Sequence, residues 1–237
     1  MKSPTIVVTG ASQGLGAAIA RAFATSFPGA RLALVARSKG NLERVAESCS
    51  KKGRVTAAAF VCDVTDESAV AAMAAAVMKR WGAPTILVNN AGRFLGRPLL
   101  ETTAADFDGQ LAANLRSAFL VSQAFLPAMV KRRSGDVINI SSIAGKQAYP
   151  NGAAYCAAKH GLTGLSAVMR AELKPHGIRV CCVHPGATWT PSWRGSGISP
   201  RRMMPAEDVA DAIVGIARLG RRTVVEDIVL RPQLGDV

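Results

Sequence analysis

Apolar residues recur along the chain in two alternating patterns. Short runs rich in aliphatic and β-branched residues predict strands, and longer alanine-rich stretches with helical spacing predict helices. The predicted strands cover residues 5–9, 31–36, 55–62, 85–88, 136–140, 178–183 and 223–230. The predicted helices cover residues 14–27, 41–51, 67–81, 104–131, 152–174 and 206–219. This alternation predicts the α/β fold class.

The predicted strands are apolar along nearly their whole length, as is typical of strands that helices cover on both faces. Right-handed crossovers then predict a single doubly wound Rossmann domain, a parallel sheet of about seven strands with helices on both faces. Because no linker interrupts the pattern, we interpret residues 1–237 as one dinucleotide-binding and catalytic domain. Residues 186–204 are the least regular stretch and predict a substrate loop or lid.

Composition narrows the classes of function. The net charge is +13, but the basic residues are scattered, which favours a solvated basic surface over nucleic-acid binding. The apolar runs are shorter than the roughly 20 residues of a membrane span, and the run at 6–8 is too short for a signal peptide. Five cysteines without a CxxC pair indicate a reducing, cytoplasmic compartment. The three histidines lack acidic companions at ligand spacing, so no metal is expected.

A glycine-rich turn, TGASQGLG from Thr9 to Gly16, links the first predicted strand to the first helix. Glycines at such a turn let the backbone approach a pyrophosphate, and the helix N-terminus offers N–H groups to its charges. The spacing differs from GxGxxG, so a tight turn without a ligand is the alternative interpretation.

The end of the second predicted strand favours NADP(H) over NAD(H). Ala36 stands where an acid would bind the ribose 2′-hydroxyl, and Arg37 and Ser38 follow it. An arginine presents a planar fork that suits a 2′-phosphate. The alternative is that Arg37 only flanks a surface turn.

Tyr155 and Lys159 are four residues apart on one predicted helix, so their side chains lie on the same face. A nearby ammonium favours the phenolate and lowers the tyrosine pKa toward a useful range. Ser142 is a candidate for a hydrogen bond to a carbonyl oxygen on which charge develops. A tyrosine and lysine at this spacing are weak support alone, since a chance surface pair has the same pattern.

Several motifs occur together in one order. They are TGASQGLG at 9–16, Asp63 after the third strand, NNAG at 89–92, Asn114, ISS at 140–142, YCAAK at 155–159 and PGATWT at 185–190. In these motifs the chain resembles the short-chain dehydrogenase/reductase family over essentially its whole length. The tail at 221–236 and the segment around Trp189 and Trp193 are similar to sepiapterin-reductase-like members.

The resemblance implies a catalytic set. Tyr155 would be the general acid–base residue, Lys159 would also hold the nicotinamide ribose, and Ser142 would orient the carbonyl. Asn114 would prop open a helix and hold a proton-relay water. The cofactor contacts expected for NADP(H) are Gly10, Ser12, Gln13, Gly14, Leu15, Gly16, Arg37, Ser38, Asp63, Val64, Asn89, Ala91, Gly92, Tyr155, Lys159, Pro185, Gly186, Thr188 and Thr190.

The substrate side is less defined. The candidate contacts are Arg93, Ser142, Tyr149, Trp189 and Trp193. Arg93 follows NNAG at a position where many relatives have an apolar residue. Its side chain has three possible environments, which are an anionic substrate, a cofactor phosphate and solvent. The two tryptophans either line an apolar pocket or fasten a lid.

These features predict an NADP(H)-dependent oxidoreductase that interconverts a carbonyl and an alcohol, with a small ketone or pterin-like substrate. One alternative is a reductase of 3-oxoacyl thioesters on an acyl carrier protein. Another is an NADP-binding redox sensor without turnover, which the intact serine, tyrosine and lysine disfavour. The resemblance also implies a homodimer or homotetramer built through the long helices. The scattered charge and the short apolar runs predict neither a nucleic-acid nor a membrane partner.

Overall fold

The computed structural model describes residues 3–237, apart from the side chain of residue 52. The strands are β1 (Thr5–Thr9), β2 (Arg31–Ala36), β3 (Thr56–Val61), β4 (Ile86–Asn89), β5 (Gly135–Ile140), β6 (Ile178–Pro185) and β7 (Asp227–Leu230). The helices are α1 (Gly14–Ser26), α2 (Lys39–Gly53), α3 (Glu67–Trp81), α4 (Ala104–Leu111), α5 (Ser117–Arg132), α6 (Ala153–Leu173) and α7 (Ala206–Arg218).

The strands form one parallel sheet in the order β3-β2-β1-β4-β5-β6-β7. Successive side chains of a strand point to opposite faces, so Ile6 and Val8 of β1 pack under α1, α2 and α7, whereas Val7 packs under α3, α5 and α6. Both faces are therefore covered by helices, and the predicted doubly wound α/β fold is confirmed.

The helix predicted for residues 104–131 is divided in the structure. A turn of π-helix at Ala112–Arg116 separates α4 from α5. Apolar periodicity continues across a single π-turn, so the pattern alone does not detect it. Such turns are frequent at functional sites, and this one carries Asn114.

The last strand is shorter than predicted, because β7 begins at Asp227 rather than at residue 223. The guanidinium of Arg179 donates to the carbonyl oxygens of Leu219, Gly220 and Thr223. Of these residues, Thr223 lies in the predicted strand, and its carbonyl oxygen is bonded to the Arg179 side chain and not to a neighbouring strand. Across residues 3–237, every helix is too short or too polar to cross a bilayer.

Candidate active site

The order of strands reverses between β1 and β4, and a crevice opens there at the carboxyl ends of the strands. Gly10 turns the chain with φ of +66°, in the left-handed region that favours glycine. At Gly16, a Cβ would lie 2.2 Å from the Gly10 carbonyl oxygen, so α1 approaches the turn only because this residue is glycine. The turn and the first residues of α1 contain the predicted contacts Gly10, Ser12, Gln13, Gly14, Leu15 and Gly16.

The N-terminus of α1 suits an anionic ligand. Gln13 is the N-cap residue, and its side chain makes no capping hydrogen bond. The first-turn N–H groups are thus without a side-chain cap, as a phosphate-binding helix end requires. The tight turn and the uncapped helix together fit the pyrophosphate of a dinucleotide.

Thr9 and Asn90 join the end of β1 to the loop that follows β4. Neither residue was predicted from the sequence as a site residue. The Thr9 hydroxyl oxygen accepts from the backbone N–H groups of Asn90 and Ala91, each at 3.0 Å. Asn90 Nδ2 donates to the Thr9 carbonyl oxygen at 2.9 Å. These bonds hold the loop of Ala91 and Gly92 beside the glycine-rich turn.

Asn89 lies at the end of β4 and joins the central strands. Its Nδ2 donates to Ser122 Oγ at 2.9 Å and to Asn139 Oδ1 at 2.8 Å. Asn139 in turn donates to Ser166 Oγ at 2.9 Å. The buried Asn89 Oδ1 has no partner among the described residues, so it is free to accept a further hydrogen bond.

The carboxyl ends of β2 and β3 bear the residues predicted for the adenosine end. The Arg37 guanidinium lies 3.9 Å from the Asp63 carboxylate, and 74% of the Arg37 side chain is exposed. Hydrogen bonds from the Thr65 N–H and hydroxyl hold the pKa of Asp63 below its usual value. Ser38 begins α2 without using its side chain as a cap, and Val64 follows Asp63. An exposed cation beside an uncapped helix fits a 2′-phosphate.

Lys159 is almost completely buried within α6, with 4% of its surface exposed. Its Nζ donates to the Ile140 carbonyl oxygen at 2.8 Å and lies 5.6 Å from the centre of the Tyr155 ring. Burial lowers the pKa of this ammonium to about 8. The structure therefore places a buried cation beside the ring of Tyr155.

The pKa of Tyr155 shifts in the direction opposite to the expectation. Burial raises it to about 12, and a hydrogen bond with the Ser142 side chain offsets part of this rise. Desolvation of the phenolate therefore exceeds the stabilisation that the nearby groups supply. The protonated tyrosine is the form that this environment favours, as a proton donor to a carbonyl requires.

Ser142 is the second residue after the end of β5 and is the N-cap of a short 3-10 turn, Ile143–Gly145. Its hydroxyl oxygen accepts from the Ala144 N–H at 3.1 Å, and its carbonyl oxygen lies 3.2 Å from His184 Nδ1. The neighbouring Ser141 points elsewhere, because its hydroxyl donates to the Lys159 carbonyl oxygen at 3.2 Å. The structure thus separates the two adjacent serines and brings only Ser142 to Tyr155.

Asn114 is 1% exposed and holds the loop that follows β4. Its Oδ1 accepts from the Arg93 N–H at 3.1 Å, and its Nδ2 donates to the Arg93 carbonyl oxygen at 2.8 Å. At Gly92, a Cβ would lie 2.5 Å from Asn114 Oδ1 and 3.7 Å from Lys159 Nζ. Gly92, Asn114 and Lys159 therefore form one tight group in which the π-turn aims Asn114 at the loop.

The segment after β6 closes the crevice on the other side. Pro185 ends the strand, and Gly186 donates its N–H to the Leu230 carbonyl oxygen at 2.7 Å. Thr188 donates to the Gly186 carbonyl oxygen at 3.0 Å. A Cβ at Gly14 would lie 3.3 Å from the Thr190 side chain, so Thr190 borders the glycine-rich turn.

Aromatic rings flank Tyr155 on the substrate side. Phe94, which sequence reasoning missed, lies edge-on to Tyr155 at 5.1 Å between ring centres and 6.4 Å from the predicted contact Tyr149. Burial raises the pKa of Tyr149. Trp189 and Trp193 are half-buried in the segment after β6. Phe94 is the second residue after the NNAG motif, and this position in the sequence could have identified it as a site residue.

The Arg93 guanidinium is directed toward α4. A Cβ at Gly109 would lie 2.8 Å from Arg93 Nη2, and Arg93 helps to lower the pKa of Asp106. For Asp106, the larger contributions come from hydrogen bonds with Thr103. Arg97 forms an ion pair with Asp106 at 2.8 Å. In this conformation the Arg93 charge faces helix α4, and the Arg93 backbone faces Asn114.

Cys182, His184 and Asp227 place their potential ligand atoms within 4.8 Å of one another, a grouping that sequence spacing did not predict. Cys182 and His184 lie on one face of β6, and Asp227 is paired with Cys182 in β7. The distance of 2.7 Å between His184 Nε2 and Asp227 Oδ1 is that of a hydrogen bond. Lys146 and Arg170 also pair with Asp227, so a metal ion would have to compete with two cations.

Comparisons with known proteins relate this arrangement to one family. The sequence profile of the short chain dehydrogenase family matches residues 4–197. Sepiapterin reductase of Chlorobaculum tepidum is 34% identical over 98% of this chain and 97% of its own length. Granaticin polyketide synthase putative ketoacyl reductase 1 of Streptomyces violaceoruber is 35% identical over 98% of this chain and 80% of its length. A metagenomic short-chain oxidoreductase, crystallised with NADP, has a TM-score of 0.85 and 37% identity, with 97% of each chain covered.

Proposed function

Because the chain belongs to the short chain dehydrogenase family, we propose that it reduces the carbonyl group of a small ketone or pterin-like compound to the alcohol. It is an NADP(H)-dependent oxidoreductase acting on CH–OH groups, in keeping with the NADP complex of its structural relative. The observation that carries the proposal is the meeting of Ser142, Tyr155 and buried Lys159 at the end of β5.

The chain's own residues carry the proton and the orientation of the substrate. When bound, NADPH supplies the hydride. Ser142 donates a hydrogen bond to the carbonyl oxygen, and Tyr155 gives that oxygen its proton as negative charge develops there. Lys159 is buried, where the low dielectric strengthens electrostatic interactions, so its positive charge stabilises the phenolate that forms when Tyr155 gives up its proton. Phe94 and Tyr149 would contact the substrate on one side of Tyr155.

The cofactor would bind along the crevice between β1 and β4. The uncapped N-terminus of α1 would hold the pyrophosphate, and Arg37 with Ser38 would hold the 2′-phosphate. Asp63 and Val64 would lie beside the adenine. Pro185, Gly186, Thr188 and Thr190 would border the nicotinamide, and residues 186–204 would act as the lid over the substrate.

A 3-oxoacyl thioester is the second candidate substrate. The similarity to a putative ketoacyl reductase and the net charge of +13 favour it, because acyl carrier proteins are acidic. The similarity to a sepiapterin reductase, which covers 98% of this chain, favours the pterin-like compound.

The test is a screen of NADPH oxidation with sepiapterin, 2,3-butanedione, simple ketones and acetoacetyl-coenzyme A. We expect reduction of at least one compound and a loss of about 10²- to 10⁴-fold in kcat for Tyr155→Phe. Full activity in the tyrosine variant would refute the mechanism. If none of the compounds supports NADPH oxidation while NADPH binds tightly, the redox sensor is favoured instead.

The assembly and location follow from the same proposal. Phe119 on α5 and Val168 on α6 are apolar and about half exposed, and we propose that these helices form the interface of a homodimer or homotetramer in the cytoplasm. Sedimentation equilibrium tests this interface, and a monomer at micromolar concentration would contradict it.

A further inference from the structure

His184 is completely buried on β6, and the catalytic scheme makes no use of it. One ring nitrogen, Nδ1, lies 3.2 Å from the carbonyl oxygen of Ser142. The other, Nε2, lies 2.7 Å from Asp227 Oδ1. The imidazole thus bridges the last strand of the sheet to the serine proposed to orient the substrate.

Both partners of the ring are hydrogen-bond acceptors. A backbone carbonyl has no proton to donate, and an ionised carboxylate accepts only. Burial raises the pKa of Asp227, but the hydrogen bond from His184 and the charges of Lys146 and Arg170 together hold it below its usual value. Nδ1 therefore holds the Ser142 carbonyl oxygen only as a donor, through a hydrogen on that nitrogen.

Asp227 fixes the loop after β5 at a second point. Lys146, which follows the 3-10 turn that Ser142 begins, places its Nζ 3.5 Å from Asp227 Oδ1. Arg170 of α6 holds the other carboxylate oxygen at 3.3 Å. The loop from Ser142 to Lys146 is thus tied at both of its ends to one carboxylate, once through His184 and once directly.

We propose that His184, anchored by Asp227, is a positioning residue that holds the Ser142 carbonyl and thereby keeps the Ser142 hydroxyl beside Tyr155. This inference rests on the proposed function of Ser142. Fixing the carbonyl of a residue limits rotation of its own backbone, and the direction of its Cα–Cβ bond follows from that backbone. A loop tied only through Lys146 would leave the serine hydroxyl free to turn away from the substrate.

Two isosteric substitutions separate the two ends of the imidazole. Asparagine places an amide nitrogen near the position of Nδ1 and keeps the bond to the Ser142 carbonyl, whereas glutamine reaches the position of Nε2 and keeps the bond to Asp227. We expect His184→Gln to lower kcat for 2,3-butanedione about tenfold, the effect of one lost hydrogen bond. We expect His184→Asn to rescue kcat to within about threefold of the wild-type value. The Kd for NADPH is expected to stay the same in both variants.

The matched control is Val183→Ala, on the opposite face of β6 and equally buried. It removes packing without touching the Ser142 carbonyl, so we expect a lower melting temperature with little change in kcat. Equal losses of kcat in the asparagine and glutamine variants, in proportion to their melting temperatures, would reduce His184 to a packing residue and overturn the proposal.

A second measurement does not depend on turnover. Amide hydrogen exchange of the peptide spanning 142–146 is expected to accelerate in His184→Gln and not in His184→Asn. Side-chain ¹⁵N resonances of the wild-type ring are expected to show a hydrogen on Nδ1, the nitrogen that faces the Ser142 carbonyl oxygen. A ring without a hydrogen on Nδ1, or stoichiometric zinc bound at Cys182 and His184 in the purified protein, would contradict the assignment. An inactive enzyme that shows the expected exchange would instead refute the proposed function and leave the positioning contact standing.

Discussion

The two ends of the cofactor crevice differ in their exposure to water. At the catalytic end, Lys159 is 4% exposed and its pKa falls to about 8. At the adenosine end, 74% of the Arg37 side chain is exposed, and its pair with Asp63 spans 3.9 Å. Charges in a low dielectric interact strongly, and water screens the exposed pair. Substitutions at the catalytic end should therefore have large effects on rate, and substitutions at the adenosine end small effects on affinity.

The largest effect is expected for Lys159→Met. Loss of the buried ammonium should lower kcat about 10²-fold or more. The same change should stabilise the fold by about 2 kcal/mol at pH 7, because the cost of burying a charge exceeds the lost bond to the Ile140 carbonyl. Steady-state kinetics and thermal unfolding measure the two quantities.

The matched control is Lys79→Met in the last turn of α3, where the lysine is exposed. It should alter kcat little and should not stabilise the fold. A Lys159→Met protein that is both inactive and less stable would mean that the ammonium is not destabilising, and the contrast between the two ends would fail.

Gly92→Ala should also disturb the catalytic end strongly. The added methyl group meets Asn114 Oδ1 at 2.5 Å, so Asn114 or the loop must move. Overpacking of this kind costs about 1–3 kcal/mol of stability, and we expect about a tenfold loss of kcat with it. Gly215→Ala on α7 is the control, because nothing lies within 4 Å of its added Cβ, and it should stabilise the helix by about 0.5–1 kcal/mol.

The pH dependence should follow Lys159. Its folded pKa of about 8 lies below the value near 10.5 of the unfolded chain, so the unfolded state binds more protons between these values. The lysine therefore adds stability as pH rises from 8 to 10.5. In the same range kcat/KM for carbonyl reduction should fall, about tenfold per pH unit, as the ammonium loses its proton. A reduction rate that stays level to pH 10 would contradict this sign.

Arg37→Ala should have the smallest effect. Removal of one exposed cation should raise the Kd for NADPH about three- to tenfold and leave that for NADH unchanged. Fluorescence titration at low and high salt measures both constants. Arg44→Ala, seven residues later and within α2, is the control for general loss of charge. Equal weakening for the two cofactors would show that Arg37 does not read the 2′-phosphate.

Much of the fold follows from local patterns in the sequence. The predicted strand bounds agree with the observed ones within a few residues. Short, continuous apolar runs are typical of strands in a sheet that helices cover on both faces. The glycine-rich turn was predictable because the left-handed conformation of Gly10 depends on nearby residues. The π-turn at Asn114 was not predictable from periodicity, since it depends on bonds to Arg93, which lies 21 residues earlier.

Other parts of the site depend on tertiary packing. The raised pKa of Tyr155 results from burial, which the spacing of Tyr155 and Lys159 does not reveal. The contact between His184 and Asp227 requires the register of β6 against β7, two strands separated by helix α7. Phe94 meets Tyr155 because Asn114 fixes the loop before it.

The position of Asp227 in the last strand has a consequence for biosynthesis. The ribosome makes β1 to β4 first, so the glycine-rich turn and the adenosine end of the crevice are complete in sequence before half of the chain has emerged. Asp227 emerges among the last residues, and β7 has to dock at the edge of the sheet before His184 finds its carboxylate. A nascent chain would therefore form the adenosine end of the crevice well before β7 fixes the loop that carries Ser142.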